Sequence, residues 1–215
     1  MAPARTLRHQ IDGIIHGIET QGYAISDAFL PPHVTNDLLH EAQSLKDAQE
    51  MRLARTGADT ATQEATRLPN PRGDMIHWLD NAHPSSPQTA YWTAMDTLKN
   101  AINQHFFLGL FDLEAHFAIY PVGSIYQKHL DQFREKKERK ISVILYLNEN
   151  WQADNGGQLR LYLDGQYCLQ HLDINPEAGK LVTFLSDRFF HEVLPATRER
   201  TSLTGWFRTR SNHMP

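Results

Sequence analysis

The sequence predicts an α+β, mainly β fold: a double-stranded β-helix of the jelly-roll or cupin-like type, with supporting helices N-terminal to it. Three observations predict it. Over roughly the first hundred residues the apolar positions recur mostly at helical spacing. From about residue 114 the period changes to two. Eight short strand-like segments then follow within about a hundred residues, several of them bounded by turn residues, which is the pattern of two packed antiparallel sheets.

The elements follow in order. Residues 5–20 carry Leu7, Ile11, Ile14, Ile15 and Ile18 on one helical stripe. GYAISDAF (22–29) reads as a short strand. LPPHVTNDLLHEAQSLKDAQ opens on a proline pair and continues as an amphipathic helix. Residues 52–68 are polar and offer no core, so 52–71 reads as a mobile loop. RGDMIHWLD (72–80) is strand-like, and residues 87–107 form the longest helix candidate. The eight strand segments fall near 114–120, 124–131, 140–147, 157–163, 166–172, 180–185, 189–194 and 200–209. Turn signals stand at Asp154-Asn155-Gly156-Gly157, Asp164-Gly165 and Pro176-Glu177-Ala178-Gly179. The expected organisation is one domain over 1–215, with helical support in 1–110 and the β-helix core in 114–209.

Composition narrows the function classes. A net charge of −4 supplies no global basic field for nucleic acid or an anionic membrane. No apolar run approaches the roughly 20 residues that span a bilayer. The N-terminus lacks the apolar block of a secretion signal, and the single cysteine, Cys168, fits a reducing, cytoplasmic setting. Histidine is abundant, at 12 residues, and it is the commonest metal ligand.

The candidate chemistry begins in YQKHLD (126–131). On a strand, residues i and i+2 share a face, so His129 and Asp131 can grip one metal side by side. A second histidine would complete a facial triad that leaves the other metal positions open. The H-x-D motif alone is weak; composition gives about 1.4 chance occurrences of H-x-[D/E]. The chain has two, His129-Leu130-Asp131 and His171-Leu172-Asp173. His191 lies 60 residues beyond Asp131, enough for intervening strands, but only 18 beyond Asp173. His129, Asp131 and His191 are therefore the candidate metal ligands, and His171 and Asp173 read as a strand end and turn. Nine residues after His191 comes Arg200, which shares a strand face with Ser202, Thr204 and Trp206. A buried guanidinium needs a carboxylate partner, and its planar fork suits a dicarboxylate ligand.

These residues resemble the iron(II) and 2-oxoglutarate-dependent oxygenases. RGDMIHWLD, AIYPVGSIYQKHLD, ISVILYLNENW, NGGQLRLY and FLSDRFFHEVLPATRERTSLTGWF resemble, more narrowly, the prolyl hydroxylases related to the hypoxia-inducible-factor enzymes and their compact bacterial counterparts. The resemblance runs from about residue 20 to 209. It implies iron(II) held by His129, Asp131 and His191, and 2-oxoglutarate held by Arg200, Tyr146, Tyr120 and Thr204. It places Trp206 near the metal, and Arg72 and Asp74 at the base of a loop over the substrate. Arg139 ends the basic run REKKERK (134–140), whose functional reading is contact with an acidic stretch of substrate protein. One departure is visible: His116 stands where the resemblance implies an apolar neighbour to the cosubstrate.

The implied reaction hydroxylates a prolyl residue in a protein, with 4-hydroxylation the expected outcome. Dioxygen is the second cosubstrate, succinate and carbon dioxide are coproducts, and ascorbate is a supporting reductant. Elongation factor Tu is the candidate substrate protein, and oxygen sensing is a role known in the family. Two other readings stay open at this point. One is an oxygenase acting on a free amino acid or other small molecule; the other is a metal-binding interaction module without turnover.

Overall fold

The structure, a computed structural model, describes residues 6–54, 72–132, 138–167 and 169–210. Three helices, α1 (Leu7–Gln21), α2 (Pro32–Asp47) and α3 (Ser86–Phe106), support the barrel. Their ends follow local chemistry. The Thr6 hydroxyl accepts from the His9 N–H at the start of α1, and Gly22 closes it in the left-handed region at φ 86°. A proline occupies the first turn of α2, and the Ser85 hydroxyl caps α3. No helix among the described residues is long and apolar enough to cross a membrane.

The strands are β1 (Tyr23–Ser26), β2 (Arg52–Leu53), β3 (Met75–Trp78), β4 (Leu110–Tyr120), β5 (Tyr126–His129), β6 (Arg139–Tyr146), β7 (Leu159–Tyr162), β8 (His171–Ile174), β9 (Leu181–Leu185), β10 (His191–Val193) and β11 (Arg200–Thr209). They form a seven-stranded sheet, β1-β9-β6-β11-β4-β3-β2, and a four-stranded sheet, β5-β10-β7-β8. Every pairing between these strands is antiparallel.

Alternation on the larger sheet divides the core in two. Leu113, Phe117 and Ile119 of β4, Ile141, Val143 and Leu145 of β6, and Leu203 and Phe207 of β11 face the helices. There they meet Ile11, Ile14 and Ile18 of α1, Leu38 of α2, and Tyr91, Met95, Leu98 and Ile102 of α3. The opposite face, with Ile144, Tyr146, Val182 and Phe184, packs against Leu159, Leu161 and Ile174 from the smaller sheet. Arg200, Thr204 and Trp206 of β11 line a cavity on this inner face, and His129 and His191 line it from the smaller sheet opposite.

Each of the eight strand segments read from the sequence is present. Two local expectations change. Residues 55–71 of the expected loop lie outside the described residues, whereas Arg52 and Leu53 pair with Ile76 and Met75 as an edge strand. The segment expected at 166–172 starts later, because Gly165–Tyr167 coils into a 3-10 turn and β8 begins at His171. His171 and Asp173 are therefore both within a strand. Asp173 accepts two hydrogen bonds from Arg160 at 2.8 Å each, an exposed cross-strand pair rather than a metal site.

Candidate metal centre and cosubstrate pocket

Antiparallel pairing of β5 with β10 sets His191 directly opposite His129. Asp131 lies just past the end of β5, in a bend, so its approach depends on that bend as well as on strand alternation. One carboxylate oxygen of Asp131 is 3.6 Å from His129 Nε2, and the other is 3.5 Å from His191 Nε2. The potential ligand atoms of all three lie within 4.8 Å of one another. Two imidazole nitrogens and a carboxylate oxygen converging from one side suit a divalent transition metal.

The histidines are held alike. His129 Nδ1 lies 2.8 Å from the Gln127 carbonyl, and His191 Nδ1 lies 3.1 Å from the Phe189 carbonyl, each two residues back along the chain. A carbonyl can only accept, so Nδ1 carries the proton and Nε2 presents its lone pair to the metal. Asp131 is anchored through Oδ2, which accepts from the buried Ser142 hydroxyl at 2.6 Å. The Ser142 and Ser186 hydroxyl oxygens are 2.9 Å apart. Because Ser142 spends its proton on Asp131, Ser186 is the donor in that second bond. The Tyr126 ring stacks on His129 at 3.6 Å between centroids, and the Arg72 guanidinium covers Tyr126 at 4.5 Å.

Protonation favours ligation. Burial pushes the His191 pKa down to about 4, aided by His129 and opposed by Asp131 and the Phe189 carbonyl. Burial alone would raise Asp131, but the two histidines and the Ser142 hydroxyl outweigh it and hold the carboxyl well below the ordinary range. Near neutral pH His191 is a neutral imidazole and Asp131 a carboxylate, the forms a metal takes.

Next to the triad is a cavity whose lining includes Arg200, Tyr120, Thr204, Trp206 and His116. Arg200 is 2% exposed, and no carboxylate among the described residues reaches ion-pair distance of it. Its guanidinium lies 5.0 Å from the Tyr120 ring centroid and 4.9 Å from that of Tyr146, and its Nε donates to the Gly157 carbonyl at 3.0 Å. Gly157 sits at φ +69°, and a Cβ there would come 3.0 Å from Ala196 and Trp151 and 3.4 Å from Arg200 Cδ. The Tyr146 hydroxyl is buried and makes no hydrogen bond of good geometry among the described residues. Burial raises its pKa, partly offset by Arg200, so it stays a neutral donor. A buried cation beside an unused hydroxyl fits a carboxylate ligand.

The remaining predicted residues frame this pocket. Asp74 is fully buried and accepts from Arg72 at 2.7 and 2.5 Å. Arg139 lies over the Trp206 ring at 3.6 Å and pairs with Glu114 at 2.7 Å. Residues 134–137 of the basic run lie outside the described residues. Ser142 and Ser186 had no signal in the sequence, since neither belongs to a motif and both act through tertiary contact.

Residues 115–208 match the model of the 2OG-Fe(II) oxygenase superfamily. A crystal structure of a Pseudomonas putida prolyl-4-hydroxylase superposes with a TM-score of 0.82 at 42% identity, over 94% of this chain and all of that one. The chain belongs to the 2-oxoglutarate and iron(II)-dependent oxygenase family. Several of its relatives within that family are prolyl hydroxylases. A hypoxia-inducible factor prolyl hydroxylase of Caenorhabditis elegans is 31% identical over 95% of this chain, which spans 29% of that longer protein. A Trichoplax adhaerens prolyl hydroxylase, solved with a hypoxia-inducible factor peptide, shares the fold with a TM-score of 0.80 at 24% identity over 96% of this chain and 94% of its own.

Proposed function

We propose that this protein hydroxylates a prolyl residue of a protein substrate, at C4 of the ring, in the cytoplasm. The reaction consumes 2-oxoglutarate and dioxygen. One oxygen atom enters a C–H bond, whose hydrogen ends in the new hydroxyl, and the other enters succinate as carbon dioxide leaves. The observation that carries the reading is Arg200: a buried guanidinium without a carboxylate partner among the described residues, in the same cavity as three converged candidate metal ligands.

His129, Asp131 and His191 hold the iron. When bound, the metal supplies the oxygen activation that no side chain can. Arg200 and Tyr146 receive the far carboxylate of 2-oxoglutarate, so the oxo-acid end is oriented before reaction. Tyr120 and Thr204 shape the same pocket. Ascorbate would serve only to return the metal to iron(II). A protein substrate is favoured over a small molecule by exposed Val122 and Ile125, which precede Tyr126 in the turn beside the pocket. Elongation factor Tu is the candidate substrate protein, on the sequence resemblance to the compact bacterial prolyl hydroxylases alone.

The test incubates the protein without oxygen with iron(II), 2-oxoglutarate and elongation factor Tu, admits oxygen, and maps peptide masses, with His129→Ala alongside. One added oxygen on a proline, absent in the variant, supports reaction and substrate together. Succinate without modified peptide removes that partner and keeps the reaction class. Bound iron with neither product overturns the proposal.

A further inference from the structure

His116 has no part in the reading above, yet it is among the more unusual side chains of the pocket. It is 2% exposed, and neither ring nitrogen finds a hydrogen-bond partner among the described residues. The Trp78 and Trp206 rings hold it at 4.7 and 5.5 Å between centroids, and it lines the same cavity as the metal triad. Native interiors satisfy buried polar groups, so an imidazole with both nitrogens unused points to a ligand.

The sheet register locates it along the pocket. Tyr120 and Arg200 face each other at one end. The next inward row holds Ala118, Ser202 and Tyr146. His116 and Thr204 form the third row, with Ile144 beyond. The fourth holds Glu114, Trp206 and Ser142, and Ser142 binds the metal-ligating Asp131. His116 therefore stands one row from the anchor of the metal and two rows from Arg200.

The chemistry of its neighbours selects the ligand. Trp206 Nε1 is also buried and unpartnered among the described residues, and an indole nitrogen can only donate. A neutral imidazole adds a second N–H. Arg72 and Arg139 stand close enough to His116 to disfavour its protonation, so the surroundings also carry positive charge, with Asp74 and Asp131 acting in the opposite direction. Two unused donors near cations call for a group rich in acceptor oxygens, and the second imidazole nitrogen stays an acceptor. The oxo-acid end of 2-oxoglutarate has three acceptor oxygens and no donor.

We propose that His116, aided by Trp206, hydrogen-bonds the 1-carboxylate of 2-oxoglutarate and so determines specificity for a 2-oxo acid at the metal end of the pocket. This rests on the oxygenase reading given above. Arg200 and Tyr146 select the far carboxylate, while His116 selects the reacting end. The pocket thus recognises both ends of the cosubstrate through protein groups as well as through the metal.

The test titrates 2-oxoglutarate, without oxygen, into the manganese(II)-loaded full chain and its His116→Leu and His116→Gln variants. Loss of a hydrogen bond to a charged group corresponds to a weakening on the order of ten- to a hundredfold for His116→Leu. His116→Gln, which keeps a donor, recovers most of the affinity. In the anaerobic iron(II) complex, the visible charge-transfer band of the chelated oxo acid shifts in His116→Leu and returns towards its original energy in His116→Gln. A merely structural role would not move that band. If folded, metal-loaded His116→Leu binds 2-oxoglutarate as tightly as the parent, or loses only affinity for the protein substrate, the proposal is overturned. If the parent itself binds no 2-oxoglutarate, the oxygenase reading fails first and this contact falls with it.

Discussion

Replacing Ser142 by alanine should weaken iron binding without touching any ligand. Ser142 is fully buried, and its hydroxyl donates to Asp131 Oδ2 at 2.6 Å while accepting from Ser186. A hydrogen bond to a charged acceptor contributes roughly 1.5–3 kcal/mol, and residues that orient metal ligands typically change metal affinity by about 10- to 100-fold. Both figures point to a loss of at least about tenfold for Ser142→Ala. Ser186→Ala removes only a bond between neutral hydroxyls, a contribution of about 1 kcal/mol, so its loss should be about fivefold. The assay is a chelator-competition titration of iron(II) or manganese(II) under anaerobic conditions, with melting curves of the metal-free proteins beside it. The hydroxyl also helps keep Asp131 ionised, so Ser142→Ala should need a higher pH to load metal. Metal affinity within twofold of the parent, with the fold intact, would refute the idea that Ser142 orients the carboxylate.

Three further outcomes are expected. Arg200→Met should leave the protein without cosubstrate at least as stable as the parent, because it removes a buried charge that has no carboxylate partner among the described residues, while 2-oxoglutarate affinity falls on the order of a hundredfold; melting and titration together check this. Arg72→Met should destabilise the fold by about 3–5 kcal/mol in denaturant unfolding, because it strands the fully buried Asp74 carboxylate. His116 gives a pH dependence: burial first, then Arg72, pushes its pKa down to about 3, below its ordinary value of 6.5. The unfolded chain therefore binds the extra proton between those values. Stability is fully present above pH 6.5 and falls by about 1.4 kcal/mol per pH unit as pH drops towards 3. His116→Leu lacks that slope, so its stability relative to the parent should improve by about 2 kcal/mol between pH 7 and 5, and parallel curves for the two proteins would refute it.

The parts of this molecule legible from sequence are those encoded by local period and spacing. The change from helical to alternating pattern located the eight strands of the core, and the 60-residue interval from Asp131 to His191 chose the H-x-D pair whose side chains converge with His191 in the structure. Strand alternation also put Arg200, Ser202, Thr204 and Trp206 on one face, where β11 presents them to the inner side of the barrel. What escaped is what tertiary contact alone decides. Ser142 and Ser186 are 44 residues apart, and only the β6–β9 side of the large sheet brings their hydroxyls beneath Asp131. The Arg160–Asp173 pair depended on the register of β7 with β8, which the 3-10 turn at Gly165–Tyr167 shifted away from the simple alternating pattern.

His116 marks the boundary between the two kinds of information. Its position was conspicuous in the sequence as a polar residue among apolar neighbours, but that alone is equally consistent with a buried hydrogen bond to the protein. The structure removes that explanation among the described residues: neither nitrogen is used, and two tryptophan rings flank the imidazole. A leucine or methionine there would avoid the burden of burying an unsatisfied imidazole, about 1–3 kcal/mol for such a group. A fold that carries this burden beside its candidate metal centre, with the donor-only Trp206 nitrogen also unused among the described residues, is more stable with an acceptor-rich ligand bound than without one. It follows that 2-oxoglutarate should raise the melting temperature of the metal-loaded parent by more than it raises that of His116→Leu at the same concentration. Equal shifts at saturating and subsaturating 2-oxoglutarate would mean that the imidazole is idle in the complex and that its cost serves some other end.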